Sequence, residues 1–198
     1  MEKADVMSPR TKPAEVRLDE LMDAAQALFI SKGFETTTVN EIVRDAGVAK
    51  GTFYHYFSSK NDILDALRER YTQQFIARIQ RAIDSCSPLD DIERLRAWCQ
   101  AGIDGYFDSM PLHDALYHDH HYATRGNKDR DLVLAQIVNM LENGVRNGAW
   151  YIENPSLTAI VMYHGMHGAV DSMAAASPQD SPALGEQLFR IFLRLLKR

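Results

Sequence analysis

The sequence predicts an all-α protein of about nine helices, and three observations predict it. Apolar residues recur at helical spacing along the whole chain. No run alternates at period two, as a half-buried strand would. Gly, Pro, Ser and Asn then divide the chain into segments of roughly 8 to 24 residues, the lengths of ordinary helices. No repeat shows at 30–50 residues, so a solenoid is not expected.

A first helix fits about Val16 to Lys32, with Leu18, Leu21, Met22, Ala25, Leu28 and Phe29 on one stripe and Gly33 past its end. A short second helix starts after Thr38, whose pairing with Glu41 three residues on is a capping box, and stops by Ala46 before a turn at Gly47. A third spans about Lys50 to Tyr56. Ser59 caps a long fourth helix reaching about Ile83, with Asp62 at its positive end. Beyond the break at Ser85–Asp91, helices fit about 90–109, 111–122, 129–147, 156–176 and 182–197. Pro111 opens one of these, Asn154-Pro155 is a cap followed by a first-turn proline, and Ser177–Pro182 separates the last two.

Composition is that of an ordinary globular chain, with 45% apolar and 25% charged residues. No apolar run nears the ~18 residues that span a bilayer, and the N-terminus lacks the stretch of a secretory signal, so no membrane partner and a cytoplasmic location are expected. Cys86 and Cys99 match no disulfide framework or metal spacing and read as buried free thiols. Net charge is −5, and residues 1–60 hold 8 basic against 9 acidic side chains. There is no basic domain. Any affinity for nucleic acid must come from a few placed cations, backbone amides and helix dipoles.

One segment departs from plain helical core. Residues 34–64 read Phe-Glu-Thr-Thr-Thr-Val-Asn-Glu-Ile-Val-Arg-Asp-Ala-Gly-Val-Ala-Lys-Gly-Thr-Phe-Tyr-His-Tyr-Phe-Ser-Ser-Lys-Asn-Asp-Ile-Leu. Two short helices joined by Asp45-Ala-Gly-Val48 have the form of a helix-turn-helix. Val39, Ile42 and Val43 can lock against Val48, Phe53 and Phe57. The third helix is too polar and aromatic to be buried whole: Thr52, Tyr54, His55 and Tyr56 flank Phe53 with hydroxyl and imidazole groups. A helix entering a major groove needs such donors and acceptors, plus groups that reach phosphate. Gly51 permits close backbone approach, and Lys60 puts a cation beside the free amides that open the fourth helix.

Val-Ala-Lys-Gly-Thr-Phe-Tyr-His-Tyr-Phe-Ser-Ser-Lys-Asn-Asp-Ile-Leu, preceded by Thr-Thr-Val-Asn-Glu-Ile and Ala-Gly-Val, resembles the DNA-binding signature of TetR-family transcriptional regulators over Val16 to Ala66. The resemblance implies a flexible arm at 1–15, a helix-turn-helix DNA-binding domain at 16–66 and a helical ligand-binding and dimerisation domain at 67–198. It implies a non-enzyme without a cofactor: a homodimeric repressor released from a pseudo-palindromic double-stranded operator by a small, largely apolar effector. Thr38 and Asn40 would meet phosphate, although Thr38 serves equally as a cap alone. Lys50, Gly51, Thr52 and His55 would lie nearest the bases. Tyr54, Tyr56 and Lys60 would grip the backbone, with packing against the first helix the other reading for Tyr56. The arm, with Lys3, Arg10 and Lys12, would offer cations for a minor groove.

In the second half, Trp98, Tyr106, Phe107, Met110, His113, Tyr117, Met140, Trp150, His164 and His167 are the candidate pocket lining, against the plain alternative that such stripes are core. Ile160, Val161, Gly165 and Gly168, with Leu188, Ile191, Phe192 and Leu195, are the candidate dimer interface, against an intramolecular core. The histidines leave one alternative, a metal-dependent, His-ligated sensor or enzyme, since His164 and His167 share a face and His118-Asp-His-His121 is dense. No His-Glu-x-x-His pattern or thiolate pair supports it, so no metal ligand is expected.

Overall fold

The computed structural model describes residues 13–117, 127–172 and 181–196, and every regular element among them is an α-helix. In chain order these are α1 (Ala14–Lys32), α2 (Val39–Asp45), α3 (Lys50–Tyr56), α4 (Lys60–Asp84), α5 (Asp91–Tyr117), α6 (Lys128–Arg146), α7 (Pro155–Ser172) and α8 (Ser181–Leu196). The chain divides into two compact units at Leu67/Arg68. Helix α4 supplies its first residues to one unit and the rest to the other. The predicted arm up to Lys12, the His118, His120 and His121 cluster and most of the linker before α8 lie outside the described residues.

In the first unit, Leu21, Met22, Ala25 and Phe29 are buried along one face of α1, Ile42 and Val43 on α2, and Phe53 on α3. Ile63, Leu64 and Leu67 at the start of α4 are buried as well. Each such side chain contributes roughly 1.5–3 kcal/mol by leaving water. The capping box is formed: the Thr38 amide and hydroxyl both donate to Glu41 Oε2, at 2.9 and 2.8 Å, and the Glu41 amide donates to Thr38 Oγ1 at 3.3 Å. Gly47 has φ +66°, a left-handed conformation that favours glycine, and this reverses the chain between α2 and α3. The following amide, Val48, returns to the Val43 carbonyl at 3.0 Å.

The second unit is a helical assembly in which α5 packs on α8 and α6 on α7. Leu184, Leu188, Phe192 and Leu196, four residues apart on α8, bury into a core with Leu95, Trp98, Cys99 and Ile103 of α5. The Arg96 guanidinium lies 3.9 Å from the Phe189 ring centroid and pairs with Glu186. Close approach explains several glycines. A Cβ on Gly144 would stand 2.1 Å from the Trp150 indole, and one on Gly105 would stand 3.0 Å from the Phe75 ring.

The break expected at Pro111 is absent. Helix α5 runs unbroken through it to Tyr117. A proline forfeits one backbone hydrogen bond, yet its own φ is helical. The turns on both sides are anchored, with Tyr106 and Phe107 buried before the proline and Leu116 after it. Packing on both flanks outweighs the local penalty, so eight helices are seen among the described residues.

Candidate functional site

Each unit carries its own candidate site. In the first, α3 is seven residues long and splits sharply by face. Phe53 is fully buried, and Phe57 just beyond the helix nearly so, while the neighbouring Tyr54 is 52% exposed. Lys50, Gly51 and His55 are exposed and Thr52 is half-buried. The outward face therefore offers one ammonium, one imidazole and a phenol, with bare backbone at Gly51. Asn40 and Thr38 are exposed at the start of α2. Helices α2 and α3 pack on each other and each buries apolar side chains, so their outward groups are held by core packing.

Two predicted contacts have other partners. Tyr56 donates its hydroxyl to the Ala14 carbonyl at 2.9 Å, tying the end of α3 to the start of α1. The Lys60 ammonium donates to the carbonyls of Phe34 at 2.5 Å, Thr37 at 3.0 Å and Glu35 at 3.2 Å, and it sits 4.2 Å from the Phe34 ring centroid. All three of its donors are thus matched to the turn between α1 and α2. The carbonyls left over past the end of α1 attract this cation, which the sequence pattern did not reveal because the partners lie 23 to 26 residues away. Glu41 links the same helices from the other side, accepting from Lys32 Nζ at 2.6 Å. The bonds from Lys32 and Thr38 hold its carboxyl down to about 2.

In the second unit, four helices line a half-open cavity of about 350 Å³. Helix α4 contributes Tyr71, Thr72 and Phe75, and α5 contributes Tyr106, His113 and Tyr117. Asn127 precedes α6, which adds Asp129, Arg130 and Val133, and α7 adds Tyr163, His164, His167 and Asp171. Hydroxyl contacts brace the wall: Tyr71 with Ser109 at 3.1 Å, Thr72 with Tyr117 at 3.2 Å, and Tyr106 onto Asp171 at 3.3 Å. The ring of His113 lies 4.9 Å from Tyr106, 5.1 Å from Tyr117 and 6.1 Å from Tyr71. Burial pushes the Tyr106 phenol up to about 12, with the Asp171 carboxylate adding to the rise. Burial also depresses the pKa of His113 and of His167, so both imidazoles are neutral at pH 7.

Of the residues proposed for a pocket, Tyr106, His113, Tyr117, His164 and His167 line this cavity. Trp98, Phe107, Met140 and Trp150 stand in the hydrophobic core instead, with Met110 packed at its edge. Trp150 closes the end of α6, its indole donating to the Leu141 carbonyl at 2.9 Å. Sequence reasoning missed the α4 and α6 walls and, on α7, Tyr163 and Asp171. The α7 signal was present, since Tyr163, His167 and Asp171 are spaced four apart. Asn127 was also readable as a cap; its side chain accepts from the amides of Asp129 and Arg130.

The candidate dimer residues divide. On α8, Ile191 is 57% and Leu195 54% exposed, but Leu188 and Phe192 are 5% and 3% exposed. The latter two belong to the chain's own core, because α8 carries two apolar stripes and only one packs inward. Ile160 and Val161 on α7 are exposed, as are Gly165 and Gly168. Among the described residues no group of three or more His, Cys, Asp or Glu is arranged to hold a metal ion, and no helix is long and apolar enough to cross a membrane.

Residues 21–67 match the family model of the bacterial regulatory proteins of the tetR family. In sequence the chain is 32% identical over 106 residues to the HTH-type transcriptional repressor KstR2 of Mycobacterium tuberculosis, a match covering 52% of this chain and 50% of that protein. The chain spans about half the length of the curated relatives it matches. In structure it is similar to the transcriptional regulator FadR from Bacillus subtilis, solved in complex with stearoyl-CoA, with a TM-score of 0.73 at 21% identity over 88% of this chain and 97% of that one. FadR from Bacillus halodurans aligns at a TM-score of 0.71 and 20% identity, covering 93% and 96%. At these identities the likeness is one of fold. The likeness to the tetR family of bacterial regulatory proteins is thus carried in sequence by the domain on residues 21–67.

Proposed function

We propose that the protein is a cytoplasmic, homodimeric transcriptional repressor whose grip on a double-stranded operator is released by a small molecule. One observation carries the reading: on α3, Phe53 is sealed in the core while Lys50, Gly51, Tyr54 and His55 face outward, so a rigid scaffold presents a polar helix face of the kind that enters a major groove. Thr52 and Asn40 flank that face. Tyr54, whose hydroxyl bonds to no described residue, takes a phosphate. Lys50 and His55 read the bases. Thr38, Tyr56 and Lys60 act through the scaffold, since their polar atoms already bond within the unit. The second copy joins through the exposed stripes of α7 and α8, Ile160 and Val161 with Ile191 and Leu195, and two-fold symmetry then requires an inverted-repeat operator.

The cavity of the second unit is the effector site. An effector biases the two arrangements of the dimer only by as much as its affinity differs between them. Selection of bound sequences from a random duplex pool tests the whole. The expected result is one enriched inverted repeat, lost in Tyr54→Ala. Absence of any enriched sequence at low ionic strength removes the reading.

A further inference from the structure

The cavity's lining selects a chemical class of ligand. Eight of its fourteen lining residues are rings, and Val133 is its one aliphatic hydrocarbon side chain. The Leu, Ile and Met side chains that would follow a flexible acyl chain are packed elsewhere, in the core. A ring-lined space rewards a ring: edge-to-face and offset contacts add to simple burial only when both partners are planar.

The polar groups add a direction. His167 Nδ1 lies 3.0 Å from the Tyr163 carbonyl oxygen. A carbonyl only accepts, so Nδ1 carries the ring proton, and in the neutral imidazole Nε2 is then a bare acceptor. No described residue donates to it. The Tyr163 ring lies 4.2 Å from that of His167, and the Tyr163 hydroxyl likewise bonds to no described residue. By contrast, the hydroxyls of Tyr71, Tyr106 and Tyr117 are already engaged within the wall. Among the described residues, the cavity thus leaves hydrogen-bonding capacity unused at the Tyr163–His167 pair, beside stacked and tilted rings.

We propose that this cavity takes a compact, planar aromatic molecule bearing a hydrogen-bond donor such as a hydroxyl, directed at His167 Nε2, rather than an acyl chain. The inference rests on the cavity being the effector site. It assigns His113, with its three tyrosine neighbours, to the face on which the ligand ring packs.

Titration calorimetry on the full chain with three probes tests it. 2-Naphthol has ring and donor, 2-methoxynaphthalene has the ring without the donor, and 1-decanol has the donor on a chain with the same number of carbons as naphthol. Naphthol is expected to bind about tenfold tighter than either of the others, the factor that one buried hydrogen bond or a set of ring contacts supplies. His167→Phe should bring naphthol and its methyl ether within about twofold of each other, and His167→Gln, which keeps an acceptor oxygen, should restore part of the gap. The wild-type comparison stands even if a variant fails to fold. Decanol binding as tightly as naphthol overturns the ligand class while leaving the cavity an effector site. Equal binding of naphthol and its ether, or a gap that His167→Phe leaves intact, overturns the role of Nε2. No heat from any of the three overturns both the inference and the effector reading beneath it.

Discussion

The two units put their chemistry on opposite sides of a core. In the first, the functional candidates are what the core leaves outside: Phe53 is swallowed and Tyr54, the next residue, is not. In the second, they are inside, on walls that four helices supply. An outward-facing site needs only one helix whose polar residues exceed what burial tolerates, and a single stretch of sequence displays that excess. A site lined by several helices is a property of how they meet, and no single stretch contains it.

The sharpest test of the contrast is the adjacent pair on α3. Phe53→Ala is expected to cost about 3–5 kcal/mol of stability by opening a cavity in a small core, read from denaturant unfolding. Tyr54→Ala should leave stability within about 0.5 kcal/mol and weaken duplex binding about tenfold, read by fluorescence anisotropy. Equal stability losses would mean that α3 has no outward face. In the second unit, Gly144→Ala should cost about 1–3 kcal/mol, because the new methyl meets the Trp150 indole. A red shift of tryptophan emission should accompany the fall in melting temperature.

Lys60→Met separates scaffold from contact. With its ammonium spent on three carbonyls, the substitution is expected to destabilise the first unit by about 1–2 kcal/mol and leave the salt dependence of duplex binding unchanged. A slope reduced by about one unit would return Lys60 to the phosphate contacts. The smallest effect concerns Glu41. Its folded pKa lies near 2 against an ordinary 4.5, so its contribution is complete above pH 4.5 and is lost as pH falls toward 2. Glu41→Gln should flatten that stretch of the stability–pH curve, and an unaltered curve would show that the Lys32 and Thr38 bonds are not maintained in solution.

Local pattern carried a long way in the first unit. The α1 stripe, the Thr38–Glu41 box, the turn at Gly47 and the cap formed by Ser59 and Asp62 all involve residues within a few positions of one another. The bonds that Lys60 and Tyr56 make are not legible in local pattern for the complementary reason, as their partners, Phe34 to Thr37 and Ala14, are distant in sequence. In the second unit the same limit removed more. Met and aromatic residues at helical spacing look alike whether they meet a core or a void, so Trp98, Met140 and Trp150 could not be told from Tyr106 and Tyr117. Pro111 misled because its penalty is local and its compensation is not.

Helix content, caps, turns and the polar excess of α3 follow from the chain alone, because hydrogen bonding and side-chain periodicity act over one or two turns. Which of the two apolar stripes on α8 turns inward, where Lys60 spends its charge and which rings surround empty space were decided only when the helices packed. Those outcomes depend on volume and contact between segments far apart in sequence, and burial energy is realised only where such segments meet.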